Sequence, residues 1–321
     1  FPMLGDQTGT ITRGFDVIHA CNPPDLIFLL GGFFKLFGKK FVFDHHDINP
    51  ELYEAKYGHR GGFYRLMLLL ERWTFYTADI SIATNNSYRD IAIDRGRMAP
   101  EKVFVVRSGP NLKRLRVAQP NAALRCGRQY LVGYVGVMGK QEGLDLLLKS
   151  ARFIIRDLQR TDIQFGLVGA GTELDSLKAY AKELTIEDYV SFSGFVSDNE
   201  MLDVLNTADV CVNPDVANEM NDKSTMNKIL EYMALGKPIV QFDLTEGRVS
   251  AQGASLYARR NDTEDLARKI LCLVDDAELR ASMGSIGRRR IEEELEWSYE
   301  APKLLEAYDA IWSNQWNSAV G

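Results

Sequence analysis

The stretch STMNKILEYMALGKP (224–238) sets Ser224, Thr225, Asn227 and Lys228 at the opening of an amphipathic helix, with Glu231 one turn further on. Either hydroxyl, Ser224 or Thr225, can cap a helix by accepting a backbone N–H. Lys228 is the residue out of place, because a cation in the first turn opposes the helix macrodipole unless an anion joins it. Glu231 follows three positions later and shares the face of Lys228. The pair suits a nucleoside diphosphate, with Lys228 on the phosphates and Glu231 accepting two hydrogen bonds from a ribose diol. A hydrogen bond to a charged group contributes roughly 1.5–3 kcal/mol, so two of them can carry much of such a ligand's affinity. The competing reading of the same spacing is an ordinary surface Lys–Glu pair.

Two glycine-rich turns offer a second kind of anion site. In VGYVGVMGKQEGLD (132–145) a strand runs into Gly136, Gly139 and Gly143 and then into a helix, and Lys140 adds a point charge. Backbone N–H groups of such a turn, with a helix N-terminus behind them, favour a pyrophosphate. The same glycines also simply make tight turns. LVGAGTEL (167–174) repeats the arrangement one unit later, with Gly169 and Gly171. Neither turn has the G-x-G-x-x-G spacing and following acid of an NAD fingerprint, which speaks against an NAD(P) enzyme. There is no D-x-D in a suitable loop, and His19, His45, His46 and His59 are poorly spaced for a metal cluster. We therefore expect neither a catalytic metal nor a cofactor.

Strands must position these clusters. Short β-rich runs alternate with helical patterns along the whole chain, the pattern of βαβ units and parallel sheets. Strands are expected at 16–20, 40–46, 79–85 and 102–109, then at 131–136, 163–169, 190–194, 210–214, 238–243 and 255–259. Residues 110–130 are polar and basic, with two prolines and no clear period, and read as a linker. The second alternation is a complete doubly wound unit, whereas the first is only the latter half of one. In open parallel sheets ligands sit beyond the carboxyl ends of the strands, and each polar cluster falls at such an end.

The 321 residues favour two domains. A net charge of −6 argues against a general nucleic-acid binder, which needs a basic footprint. Cys21, Cys126, Cys211 and Cys272 form no CxxC pair, so a reducing cytoplasm is the expected home. No stretch reaches the roughly 18–20 apolar residues of a membrane span. The nearest, LIFLLGGFFKLFGKK (26–40), has two readings. It is either a helix packed on a sheet or a peripheral membrane face whose Lys35, Lys39 and Lys40 meet anionic head groups. The opening FPMLGDQTGT, without Met, reads like the middle of a longer protein.

The succession VGYVGVMGKQEGLDLLL, LVGAG, VSFSGFV, ADVCVNP and KILEYMALGKPIV, with a helical tail, resembles the retaining GT-B glycosyltransferases of family 4. That family builds bacterial polysaccharides. FVFDHHDINPELYEAKYG (41–58) and VFVVRSGPN (103–111) match the second half of its N-terminal domain. The resemblance implies two Rossmann-like parallel-sheet domains facing a cleft, the first incomplete. Their expected bounds are 1–115 for the acceptor-side domain and 116–297 for the donor domain, with a helix at 298–321 packing back towards the first. It also implies a nucleotide-sugar donor, UDP- or GDP-linked, a glycan or lipid-linked acceptor, and no metal.

Glu231 matches the second glutamate of the family's E-x7-E motif, while the first falls on Lys223. The basic residues that the family places around the first glycine-rich turn fall near Val137 and Glu142. The diphosphate contact is therefore expected to move to Lys228, with Lys140 or Lys223 in support. By the same resemblance His46 touches the donor sugar or phosphate at the reacting centre, and Asp47 orients it or meets the acceptor. Capping by Asp47 and simple packing of His45 are the alternatives. Two rival functions share this architecture: a nucleotide-sugar 2-epimerase, and an inactive nucleotide-sugar binder.

Overall fold

The computed structural model describes residues 14–312, and these divide into two compact units: residues 14–107 with 300–312, and residues 108–299. The first unit carries a parallel sheet in the order β1 (Val17–Cys21), β2 (Lys40–His45), β3 (Ile80–Ala83), β4 (Val103–Val105). Val42, Ile80, Ile82 and Val106 form a core there with Ala307 and Ile311, supplied by the closing helix Trp297–Trp312. His45 is fully buried among the rings of Phe43, Phe75 and Tyr88 and lies 3.5 Å from Glu71. Arg95 bridges Glu71 and Glu51 behind it. Glu51, the acid in the first turn of Asn49–Tyr57, is thus also one side of a buried ion pair.

The helix Ile27–Lys35 packs on this sheet through Gly31, where an added Cβ would meet the Phe41 ring at 2.5 Å. Its opposite side is left open. Leu29 and Phe33 are more than half exposed, and the turn that follows adds Leu36 and Phe37. Phe28 reaches sideways to Trp73 of the neighbouring helix Gly62–Thr77, with ring centroids 5.5 Å apart.

The second unit is built on a six-stranded parallel sheet. Its strands are β5 (Tyr130–Val135), β6 (Ile163–Val168), β7 (Val190–Gly194), β8 (Val210–Asn213), β9 (Ile239–Phe242) and β10 (Ser255–Ala258). They lie in the order β10-β9-β8-β5-β6-β7, so the topology switches between β8 and β5. Near-continuous apolar runs bury both faces, as parallel strands require. The segment read as a linker is not free of this unit. Leu115 is 1% exposed in its core, and Asn206 and Thr207 accept the Ala118 and Asn121 N–H groups. Those contacts account for the division falling at residue 107 rather than near 115.

Candidate donor site

Three chain reversals meet at the carboxyl ends of β5, β6 and β8, where the sequence places its polar clusters. The turns after β5 and β6 pack backbone against backbone. The Gly136 N–H donates to Val168 O at 3.1 Å, and the Met138 N–H to Ala170 O at 3.0 Å. The Gly169 N–H donates to Gly194 O at 3.0 Å. A Cβ on Gly169 would lie 1.8 Å from Gly136 O, and one on Gly171 would lie 2.4 Å from Met138 O. Gly169 and Gly171 therefore let two turns touch, while a Cβ on Gly136 would meet the Tyr134 hydroxyl at 2.6 Å. That is a different service from exposing N–H groups to a ligand. Gly139 and the exposed Lys140 line a cavity of about 480 Å³ with Leu144, Asp145 and Glu173.

Asn227 and Lys228 do open the helix Asn227–Ala234, but Met226 is its N-cap and no side chain caps it. Ser224 instead ends the short helix Glu219–Lys223, its hydroxyl donating to Met220 O at 2.7 Å. Thr225 is half-buried in the link between the two helices, and Lys223 pairs with Glu219 at 2.7 Å. Neither hydroxyl takes the capping place that the spacing suggested, because Glu219–Lys223 forms its own turn just before.

Lys228 and Glu231 do not form a surface pair. Lys228 turns inward under the first turn and is only 9% exposed. Its Nζ lies 2.5 Å from Glu142 Oε2, 2.8 Å from Asp215 Oδ1, and 5.0 Å from the centre of the Tyr134 ring. The Tyr134 hydroxyl donates to the same Glu142 oxygen at 3.1 Å. The anion that a cation in the first turn calls for is thus internal, and it spans the switch point between β5 and β8. Burial works against the Lys228 charge, but Asp215 and Glu142 outweigh it and hold the ammonium protonated. Burial also pushes Asp215 up to about 6, against the pull of Lys228.

Glu231 faces the other way. Its Oε1 accepts from Arg114 Nη1 at 3.2 Å, and Arg114 grips Asp198 with Nε at 2.7 Å and Nη2 at 3.0 Å. Burial raises the Glu231 carboxyl and Arg114 pulls it back. Arg114, Asn227, Leu230 and Glu231 line a cavity of about 240 Å³ with Ser108, Gly109, Pro110 and Asn111. Arg114, Asp198, Glu142 and Asp215 went unread in the sequence. For Asp215 a signal existed, an acid two residues beyond the end of β8 at the switch point. Arg114 had none, being 117 residues from its partner.

In the first unit, His46 and Asp47 follow directly on β2. The His46 Nε2 lies 3.0 Å from Asp44 Oδ2, which also meets His19 Nε2 at 3.0 Å. Burial acts to raise Asp44, but these two bonds dominate and hold it at about 2. The Asp44 bond in turn raises His46. Burial raises Asp47, which caps no helix: Ile48 is the N-cap of Asn49–Tyr57, and the Asp47 backbone is tied to Asn22.

Comparison with known proteins agrees with this architecture. The family described as Glycosyl transferases group 1 matches residues 129–276, and Glycosyltransferase Family 4 matches residues 9–114. A 2-deoxystreptamine glucosyltransferase of Streptomyces kanamyceticus is 25% identical over 77% of this chain and 64% of its own length. A poly(ribitol-phosphate) alpha-N-acetylglucosaminyltransferase of Staphylococcus aureus is 23% identical over 62% of this chain and 37% of its own length. The chain thus spans less than two thirds of these relatives. Among solved structures, Anabaena HepE in complex with UDP superposes with a TM-score of 0.75 at 18% identity, covering 92% of this chain and 79% of that one. A sucrose-phosphate synthase from Thermosynechococcus elongatus gives 0.74 at 20% identity, covering 94% and 75%. With two family matches that together take in most of its residues, this chain belongs to the family-4 glycosyltransferases, and its two parallel-sheet units are those of the GT-B fold.

Proposed function

We propose that this chain transfers a sugar, a hexose or an acetamidohexose, from a UDP- or GDP-linked donor to a glycan or lipid-linked acceptor. Transfer retains anomeric configuration, needs no metal, and serves cell-surface polysaccharide synthesis. The observation that carries the reading is Glu231, a part-buried carboxylate with one oxygen engaged and a cavity beside it. It suits a ribose diol, which donates two O–H groups. The names of the relatives, a glucosyltransferase and an N-acetylglucosaminyltransferase, and the UDP held by HepE support the substrate class.

Cleavage of the anomeric C–O bond leaves charge on the diphosphate, and the protein must stabilise that charge as it develops. Lys140 at the turn and Lys228 beneath it are the cations for this. Glu142 is the exchangeable partner of Lys228, being more exposed than Asp215, and a phosphate oxygen can take its place on the ammonium. His46, its pKa raised by the bond to Asp44, is assigned to the reacting centre, with Asp47 as its neighbour on the acceptor side. Calorimetry with UDP and GDP tests the assignment. Glu231→Gln is expected to weaken the better nucleotide about 10- to 100-fold, the worth of one or two charged hydrogen bonds. Unchanged affinity refutes it. Release of free nucleotide only when acceptor is present distinguishes transfer from epimerisation.

The acceptor side of the reading includes an anionic membrane surface under residues 26–40. No described helix is long and apolar enough to cross a membrane. The outward side of Ile27–Lys35 is nevertheless apolar, and Leu66, Leu69, Trp73 and Tyr76 extend it along Gly62–Thr77. The charges these segments show to solvent are basic: Arg65, Arg72 and, held by Asp79 and Asp16, Lys35 and Lys39. The acid Glu71 is buried on Arg95. Each basic residue near an anionic surface contributes about 1 kcal/mol. Flotation with phosphatidylglycerol vesicles should therefore capture the chain, and Arg65→Gln with Arg72→Gln should weaken capture about 30-fold. Equal capture by phosphatidylcholine vesicles, or none by either, removes the contact.

A further inference from the structure

We infer that Arg114 is the positioning residue for Glu231, fixing one carboxylate oxygen so that the other is presented to the donor's ribose. The inference rests on Glu231 being the ribose acceptor and adds the group that makes it one. Three observations carry it. Arg114 takes Oε1 of Glu231 through Nη1 alone, while Nε and Nη2 make a bidentate bond to Asp198, so the guanidinium plane is set from outside the cavity. Its backbone is equally fixed. The Arg114 and Leu115 N–H groups both donate to Asn111 O at 3.0 Å, and Leu115 beside it is anchored in the core. Asp198 stands at the first position of the helix Asp198–Thr207, where Ser197 and Glu200 close a capping box that holds the helix start. A guanidinium fork held on one carboxylate thus reaches a second with its remaining Nη1, a geometry that a lysine point charge does not reproduce.

The consequence is chemical. A part-buried carboxylate tends towards its neutral form, and a neutral acid offers a diol an acceptor of much lower strength. The charged groups acting on Glu231 are Arg114, from the 108–115 segment, and Asp198, from the facing helix. Removing the arginine leaves burial and Asp198, both of which raise Glu231. Preference for a ribose diol is present above the Glu231 pKa and lost below it, so this loss must move to higher pH when Arg114 is gone.

The test measures the affinity of the whole chain for UDP and GDP against their 2′,3′-dideoxy forms across pH. The wild type should prefer the ribose form about 10-fold or more at neutral pH. Arg114→Gln should lose most of that preference, with its onset shifted to higher pH. Arg114→Lys should recover part of it. Asp198→Asn, which weakens the outer grip only, should fall between. An Arg114→Gln chain that keeps the full preference and the wild-type pH profile overturns the inference. So does one that binds the ribose form more tightly, since Arg114 would then compete with the ribose. If Glu231→Gln keeps the preference, the reading of Glu231 itself falls, whatever Arg114 does.

Discussion

Lys228→Ala should lower the melting temperature of the chain by about 10 °C, before any question of ligand arises. The substitution leaves Glu142 and Asp215 facing each other with their shared cation gone. Removing one partner of a buried ion pair costs about 3–5 kcal/mol, because the remaining charge is stranded without solvent. In a unit of this size each kcal/mol shifts the melting point by about 2–4 °C. The effect has a pH signature. Burial already pushes Asp215 up to about 6, and losing Lys228 removes the group that pulls it down, so the unfolded chain holds fewer protons than the folded one between the ordinary carboxylate range and the raised value. Stability of the variant therefore rises as pH falls through that window. Its deficit against wild type should shrink between neutral pH and about pH 5. Lys228→Met combined with Glu142→Gln and Asp215→Asn should recover most of the loss. Calorimetry on the free chain reads all of this, and an Ala variant that melts with the wild type shows that the three groups do not meet in solution. Loss of nucleotide binding in Lys228→Ala alone is thus poor proof of a phosphate contact. Glu142→Gln is the cleaner probe, since it leaves Asp215 on the lysine.

The buried partners of Lys228 mark the limit of what the sequence alone carries. Strands were legible because a two-sided parallel sheet writes apolar runs between turn residues. The expected 163–169 and 190–194 match β6 and β7 almost to the residue. Lys228 was legible as an anomaly, a cation where the macrodipole disfavours one. What resolves the anomaly was not, because Glu142 lies 86 residues away and reaches Lys228 only once β5 and β8 are neighbours. The same holds for Arg114 and Glu231, and for the bridge from Arg95 to Glu51 and Glu71. The short helices Glu219–Lys223 and Thr245–Ala251 were missed for a different reason. Each is little more than one or two turns, too short to show a period, and Glu219–Lys223 displaced Ser224 from its expected capping place. Pairings between distant side chains set the electrostatics of the site, whereas local patterns set only where its backbone turns.

The glycines of the two turns separate the same way, and Gly169→Ala should be the most damaging added methyl among the described glycines. Gly169 has φ +138, a conformation that L residues rarely adopt, and its Cβ would sit 1.8 Å from Gly136 O. Strain of this kind costs about 1–3 kcal/mol, and overpacking a close contact adds about 1–3 more. The obstacle is backbone, so no rotamer change relieves it. The turn after β5 must move away, carrying with it Glu142 and the roof over Lys228. A melting-point loss of about 10 °C and a loss of UDP affinity are expected together. Gly139→Ala is the control that tells packing from ligand approach. Its Cβ would meet only the end of the Gln141 side chain, at 2.9 Å, and its φ of −113 suits any residue. Stability should change by about 0.5 kcal/mol or less, so a fall in UDP affinity there reports crowding at the ligand itself. If instead Gly169→Ala folds and binds as wild type does, the two turns are not in contact and the proposed diphosphate contact of Lys228 loses its support.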